Sequence, residues 1–194
     1  MDGLAPKKPV LDKDKLDAAV HYVIARIERP SELGDAKLHK ILWFADLELT
    51  YAHDVALAGG SFVRTPLGPW GSSVDKSLKR LEKNHLIAEI QSSYFGHRQR
   101  QFTSLRLPKL APLSAIEVDV LNRMIDSVCF NHRARSVSEA AHDAVWERTA
   151  DGDAMSASCV FEQMTAAPTA EDLAWARAQL TPETEAELAK LGLV

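Results

Sequence analysis

Few residue pairs in this chain have the types and spacing that catalysis needs. His142 stands beside Asp143, and Cys129 precedes His132 by three residues. A nucleophile with its base and orienting acid needs a specific setting such as a nucleophile elbow, and neither pair has one. We therefore predict no enzymatic activity and no catalytic residues.

Cofactor chemistry has no better support. Cys129 and His132 could face one side of a helix as two metal ligands, but third and fourth ligands are not evident. The chain's two cysteines show no CxxC spacing, and we interpret them as buried thiols. No glycine-rich loop has the lysine and spacing of a P-loop. We predict neither a metal nor another cofactor.

Basic residues form the clearest charged feature. Four cations recur at i, i+3, i+4 and i+7 on one face of a predicted helix, Lys76, Lys79, Arg80 and Lys83. As a recognition helix, followed by a hairpin wing with Arg98 and Arg100, this face could contact DNA phosphates. It lacks residues suited to reading base edges, and the pI of about 6.0 is low for a DNA-binding domain. A solvated helix face is the simpler interpretation, and nucleic acid is not the expected partner.

The stretch TPLGPWGSS, residues 65 to 73, interrupts the helical pattern. Pro66 and Pro69 exclude helix, and Gly68 permits a positive φ between them, so a rigid turn is predicted. Trp70 is larger than a connector needs. It either closes a core from the side or is offered to a partner.

Two helices are predicted before this turn. Asp12 caps the first, which ends near Pro30, and the second begins at Asp35. The second helix is apolar nearly all round, so it is predicted to be central and buried. Asp46 lies inside it and needs a partner. We expect its carboxylate to accept hydrogen bonds from residues 66–70, or to pair with Arg64 or His142.

The rest of the chain alternates strand and helix signals. SFVRT is strand-like, Ser72 and Asp75 resemble a capping box before the basic helix, and IAEIQSS and QFTSLRL form a predicted β-hairpin. Helix followed by hairpin resembles a winged helix. Further helices begin at Ser114 and at Ser136, with two short ones near the C-terminus. The predicted fold is a mainly α-helical, compact domain with a small antiparallel β element from residues 61–65 and 87–107.

Composition places these elements in a globular protein. The 194 residues are 46% hydrophobic and 26% charged, and no apolar run suits a signal peptide or a membrane span. A cytoplasmic protein without membrane contact is expected. The net charge of −4 is uneven, because residues 75–109 carry eight Lys and Arg against three acids, whereas residues 111–194 carry six against fourteen.

Three segments in order, KLHKILWFADLEL, GGSFVRTPLGPWGSSVDKSLKRLEKNHLI and SVSEAAHDAVWERTADGDAM, resemble the Panacea domain of the SocA-like antitoxin family. The resemblance covers roughly residues 12 to 157. Its matching positions are Lys37, Leu38, Lys40, Ile41, Leu42, Trp43, Phe44, Asp46, Pro66, Gly68, Pro69, His142 and Trp146. The chain departs from the family in Trp70 and in its acidic C-terminal part. We divide it into a Panacea domain, 1–165, and an acidic helical extension, 166–194.

The resemblance implies a non-enzymatic bacterial antitoxin that binds and neutralises a toxin encoded beside it. Some family members act as adaptors that deliver the toxin to a protease, so a Clp-type protease is a second implied partner. We predict a structural role for Asp46, Pro66, Gly68, Pro69, His142 and Trp146. The predicted toxin-binding residues are Leu67, Trp70, Lys76, Lys79 and Arg80.

Overall fold

The computed structural model describes residues 10–94, 97–131, 146–147, 149–155 and 157. The chain divides into two units, Met1–Phe161 and Glu162–Val194, and every described residue lies in the first. The predicted helix that begins at Ser136 lies outside the described residues except for its end at 146–147. The terminal helices and the 165/166 domain boundary also lie outside them and stay predictions.

Four α-helices and five strands make up the described part. The helices are α1 (Lys13–Arg26), α2 (Pro30–His53), α3 (Ser72–Lys83) and α4 (Ala115–Ile125). Helix α4 continues as a π-helical turn (Asp126–Asn131). The strands are β1 (Phe62–Thr65), β2 (Gly68–Gly71), β3 (Ile87–Tyr94), β4 (His97–Ser104) and β5 (Ala154–Met155). The prediction of a mainly helical fold with small antiparallel β elements is confirmed.

Helix α2 is the central element, as its apolar sequence predicts. It packs against α1, α4 and β4. Trp43, Leu38 and Ile41 are fully buried on it, and Trp43 meets the ring of Phe62 edge-on at 5.1 Å. Burial of large apolar side chains on every side of one helix makes it the scaffold on which the other elements are fixed.

Two of the predicted helix starts are confirmed in detail. The Asp12 carboxylate accepts a hydrogen bond from the Lys15 N–H at the start of α1. Ser114 and Glu117 form a complete capping box at the start of α4, each side chain bonded to the other's backbone N–H. These caps satisfy N–H groups that have no partner within the helix.

The other two helices begin earlier than the sequence predicts. Pro30 occupies the first turn of α2, and the helix then bends at Gly34, where φ is 61° and ψ is 164°. Only glycine adopts that backbone conformation readily, so Asp35 starts the unbroken part of the helix. The capping box predicted for Ser72 is wrong, because Gly71 occupies the N-cap position without a side-chain hydrogen bond.

The β structure forms two separate sheets rather than the one predicted element. Strand β1 pairs with β2 on one side, with Thr65 opposite Gly68, and with β5 on the other, with Phe62 opposite Met155. Strands β3 and β4 form their own hairpin. Pro69 is tolerated because β2 lies at the edge of its sheet, where a missing N–H breaks no ladder.

The order of α3 followed by the β3–β4 hairpin agrees with the prediction. A winged-helix arrangement of these elements stays a prediction. Across the described residues, no helix combines the length and the apolar character that crossing a membrane requires.

Candidate functional site

The predicted turn is the end of a tight β1–β2 hairpin. Pro66 and Leu67 alone form its tip, and Leu67 is 63% exposed. The Thr65 hydroxyl donates to the Gly68 carbonyl at 2.7 Å and accepts from the Leu67 N–H at 3.3 Å. Gly68 follows with a φ of 104°, which favours glycine. The tip is therefore held in one conformation by its own hydrogen bonds.

Trp70 projects from β2 toward two polar partners. Its indole stacks on the imidazole of His39, with ring centroids 3.8 Å apart and planes 20° apart. The indole N–H donates to the Asp75 carboxylate at 2.9 Å. Trp70 is half-buried and lies outside the main hydrophobic core. The sequence left two alternatives for Trp70, closing a core or contacting a partner. The structure matches neither alone, because Trp70 fixes the hairpin to α2 and α3 and keeps part of its surface exposed.

His39 is the buried anchor of this arrangement. It is fully buried on α2, and its Nδ1 accepts a hydrogen bond from the Gly71 N–H at 3.0 Å. Because Nδ1 is the acceptor, the neutral ring carries its proton on Nε2. Burial lowers the pKa of His39 to about 4, so the ring is neutral near pH 7.

The Nε2 atom of His39 faces two carboxylates. It lies 3.7 Å from Asp35 Oδ1 and 3.9 Å from Asp75 Oδ1. One ligand atom from each of the three residues falls within 4.8 Å of the others, which is the composition of a metal site. Nε2 holds the proton, however, so it has no lone pair to offer a cation. We interpret the two carboxylates as part of an ion network beside the neutral imidazole rather than as a metal site.

Arg100 supplies the positive charge of this network. Its guanidinium lies 3.0 Å from Asp35, 3.6 Å from Asp75 and 3.0 Å from Glu89. Burial raises the pKa of Asp35, and the nearby Arg100 charge counteracts that effect. The network joins β4, α2, α3 and β3 around Trp70. The DNA-binding alternative placed Arg100 in a wing, whereas in the structure Arg100 is partly buried and pairs with carboxylates of this protein.

The basic face of α3 is only partly available. Lys76 and Lys79 are exposed, and within the described residues neither forms an ion pair. Arg80, in contrast, binds Asp17 of α1 through its Nε at 2.9 Å. Of the three cations predicted to bind the toxin, two therefore face solvent, and the third, Arg80, connects α3 to α1.

Asp46 is buried, as predicted, but its partner differs from those expected. Its carboxylate accepts a hydrogen bond from the Leu57 N–H at 2.7 Å, and burial raises its pKa to about 6. Neither residues 66–70 nor Arg64 supplies its bond. Among the described residues its donor is this neutral backbone N–H, which belongs to the connection between α2 and β1.

Arg64 and Trp146 hold the opposite side of the hairpin. The Arg64 guanidinium lies 3.9 Å from the centre of the Trp146 ring and pairs with Asp151. The Trp146 indole N–H donates to the Thr65 carbonyl at 3.2 Å. Pro66 is exposed at the tip, Pro69 is buried in β2, and His142 lies outside the described residues. The hairpin is thus contacted by α2 on one side and by residues 146–155 on the other.

Sequence reasoning missed His39, Asp35 and the role of Arg100. His39 follows Asp35 by four positions in a helix that is otherwise apolar. The argument that singled out Asp46, a polar group inside a buried helix, applies equally to His39. That signal could have found the site.

The comparisons with known proteins identify the same region. A family model described as "Antitoxin SocA-like, Panacea domain" matches residues 38–147, more than half of the chain. The match begins one residue before His39, includes the hairpin and α3, and ends just after Trp146. No curated protein and no solved structure matches the chain. The family match is sufficient to classify the protein: the chain belongs to the SocA-like antitoxin family and carries its Panacea domain.

Proposed function

We propose that this protein is an antitoxin that neutralises its toxin by direct binding, through the tip of the β1–β2 hairpin and the adjoining basic face of α3. The observation that carries the proposal is the position of Leu67, a large apolar side chain 63% exposed at the end of a rigidly held hairpin. An apolar side chain presented in this way is suited to insertion into a pocket on a partner.

The hairpin meets the energetic requirement for such a contact. Its tip is closed by the Thr65 hydroxyl, its β2 strand is held by His39, and Trp70 is held by Asp75. A surface ordered before binding loses little conformational entropy when the partner arrives. The half-exposed Trp70 indole can add contact area beside Leu67 without leaving its two partners.

The exposed lysines of α3 indicate what charge the toxin surface should carry. Lys76 and Lys79 are exposed on α3, close in sequence to Trp70, and within the described residues they lack ion pairs. A toxin surface with an apolar pocket bordered by carboxylates complements this combination. Arg80 is bound to Asp17, so it contributes at the margin of the contact.

DNA binding by a winged helix is the second candidate function, and the charge arrangement supports it less well. Arg80 pairs with Asp17, and Arg100 pairs with Asp35 and Glu89. Both would have to exchange these partners for phosphates. Nanomolar, sequence-selective DNA binding at physiological salt would favour this function over toxin binding.

The experiment is co-expression in bacteria with the product of the adjacent small open reading frame. The test variants are Leu67→Glu and the double variant Lys76→Glu/Lys79→Glu. Matched controls are Ile116→Glu, an exposed apolar residue on α4, and Lys13→Glu/Arg29→Glu, two exposed cations outside the basic face of α3 with the same charge change. We expect the test variants to lose rescue of growth and co-purification, while the controls retain both.

The same experiment separates neutralisation from delivery to a protease. Direct neutralisation leaves the toxin level unchanged in rescued cells, whereas an adaptor lowers it only while a Clp-type protease is present. A neighbouring product that is harmless alone would contradict the proposal. So would test variants that rescue as well as the controls. The proposal also places the protein in the cytoplasm, where its toxin would act.

A further inference from the structure

A second surface of the protein, away from the hairpin tip, forms an open groove of about 580 Å³. Helix α1 forms one wall, and residues 106–112, which follow β4, form the other. Leu81 and Leu86 contribute apolar floor between them. None of the five proposed toxin-binding residues lines the groove, although Arg80 contacts its Asp17. A groove of this size can accept part of a peptide or a helix face.

The α1 wall consists of residues on one face of the helix, and most of their charge is neutralised by neighbouring groups. Asp14, Asp17, Ala18 and His21 recur at i, i+3, i+4 and i+7. The Asp17 carboxylate is already bound by Arg80 and by the Ser77 hydroxyl. His21 is buried, its Nε2 lies 2.9 Å from the Ser104 hydroxyl, and burial lowers its pKa. Asp14 is therefore the remaining acidic group on this wall among the described residues.

The opposite wall combines exposed leucines with cations. Leu107 lines the groove and is 92% exposed, and Leu105 and Leu110, which lie near it in the sequence but outside the groove lining, are 50% and 40% exposed. Arg106 and Lys109 are exposed between them, and in the described part of the chain neither forms a salt bridge. Clustered apolar side chains in water are unfavourable, and on natural proteins they mark interaction sites.

These walls define the chemistry of the occupant. Among the described residues, Arg106 and Lys109 form no salt bridge and Asp14 is the one lining carboxylate that no cation binds, so the groove favours acidic groups. Its leucines and its floor favour apolar side chains. Neither wall is a β-strand, so strand addition is not available, and an amphipathic helix laid into the groove can match its apolar floor and its cations together. We infer that this groove binds an acidic amphipathic helix of a partner protein, at a site additional to the proposed toxin surface.

The inference can be tested with a synthetic helix and the full chain. The probe is a fluorescent peptide of about 18 residues, roughly five helical turns, with leucines at i, i+3 and i+4 spacing and glutamates elsewhere. A matched peptide carries lysines in place of the glutamates. Fluorescence anisotropy measures binding of each peptide to wild type and to four variants of unchanged melting temperature.

We expect the acidic peptide to bind wild type and the basic peptide not to bind. Leu107→Ser and Arg106→Glu/Lys109→Glu weaken acidic-peptide binding by about tenfold or more. The controls Leu67→Ser and Lys76→Glu/Lys79→Glu leave it unchanged, which shows that the hairpin surface is not the binding site. Failure of the acidic peptide to bind, equal binding of both peptides, or equal losses in test and control variants would each overturn the inference.

Discussion

The imidazole of His39 and the indole of Trp70 are stacked at 3.8 Å, although they belong to a buried helix and an edge strand. This contact explains why the short strand β2 contains a tryptophan. The ring fixes β2 to the central helix, and the fixed hairpin presents Leu67 to solvent. Single substitutions measure how much each residue of this arrangement contributes to the stability of the fold.

Substitution of Trp70 should separate its stacking from its hydrogen bond. Trp70→Phe retains an aromatic ring over His39 but loses the donor to Asp75, so the free energy of unfolding should fall by about 1–2 kcal/mol. Trp70→Ala loses both contacts, and a fall of roughly 2–4 kcal/mol is expected. Urea unfolding near neutral pH measures both changes. Wild-type stability in Trp70→Phe would show that the indole N–H is not bonded.

His39 should make the fold less stable in acid. Its pKa is 6.5 in the unfolded chain and about 4 when buried, so the unfolded state takes up the proton first. Stability is complete above pH 6.5 and falls toward pH 4, by about 1 kcal/mol for each pH unit. Unfolding free energies of wild type and His39→Gln should therefore converge as the pH falls. Parallel curves would contradict a neutral, buried His39.

Asp46 should have the opposite pH dependence. Burial raises its pKa from 3.8 to about 6, so the folded state takes up the proton first. Its contribution is fully present below about pH 4 and is lost as the pH rises through 6. Relative to Asp46→Asn, wild type should gain about 2 kcal/mol between pH 7 and pH 4. A constant difference across that range would show that the carboxyl is solvated.

Asp46→Ala tests the same site near pH 5, where the buried carboxyl is mostly protonated and its removal relieves little buried charge. The Leu57 N–H would lose its acceptor, which costs about 1–3 kcal/mol. The cost stays below that of a broken buried ion pair because no cation is left behind. Thermal unfolding near pH 5 measures the change. An Asp46→Ala protein that melts at the wild-type temperature would contradict the buried hydrogen bond.

Arg100 should contribute more to the free energy of unfolding than an arginine in exposed ion pairs does. Arg100→Gln leaves Asp35 and Asp75 without their shared cation, and we expect a loss of about 1–3 kcal/mol, reduced by the partial exposure of Arg100. Arg123→Gln is the matched control, since Arg123 pairs with Glu48 and Asp119 at the surface. Urea unfolding should resolve no change in this control. Equal stability of the two variants would show that the network is fully solvated.

Features set by neighbouring residues were predictable from the sequence. The Asp12 and Ser114 caps, the apolar circumference of α2 and the β3–β4 hairpin all follow from local spacing. The start of α3 was misplaced by one residue because Ser72 and Gly71 both suit an N-cap position. Burial of Asp46 followed from its position in an apolar helix.

Contacts between distant positions were not predictable. His39 and Gly71 are 32 positions apart, and no local pattern indicates that an imidazole accepts that particular N–H. β1 could pair with β2, with the later hairpin or with β5, and strand composition does not select among them. The partner of Asp46 likewise depends on where the chain passes after α2.

Binding of the purified partner toxin to three forms of this protein tests the central claim most directly. Isothermal titration would compare wild type, Leu67→Glu and Ile116→Glu after equal melting temperatures have been verified. We expect Leu67→Glu to weaken binding by at least about tenfold and Ile116→Glu to bind like wild type. Binding of Leu67→Glu with wild-type affinity would contradict the claim that the hairpin tip contacts the toxin.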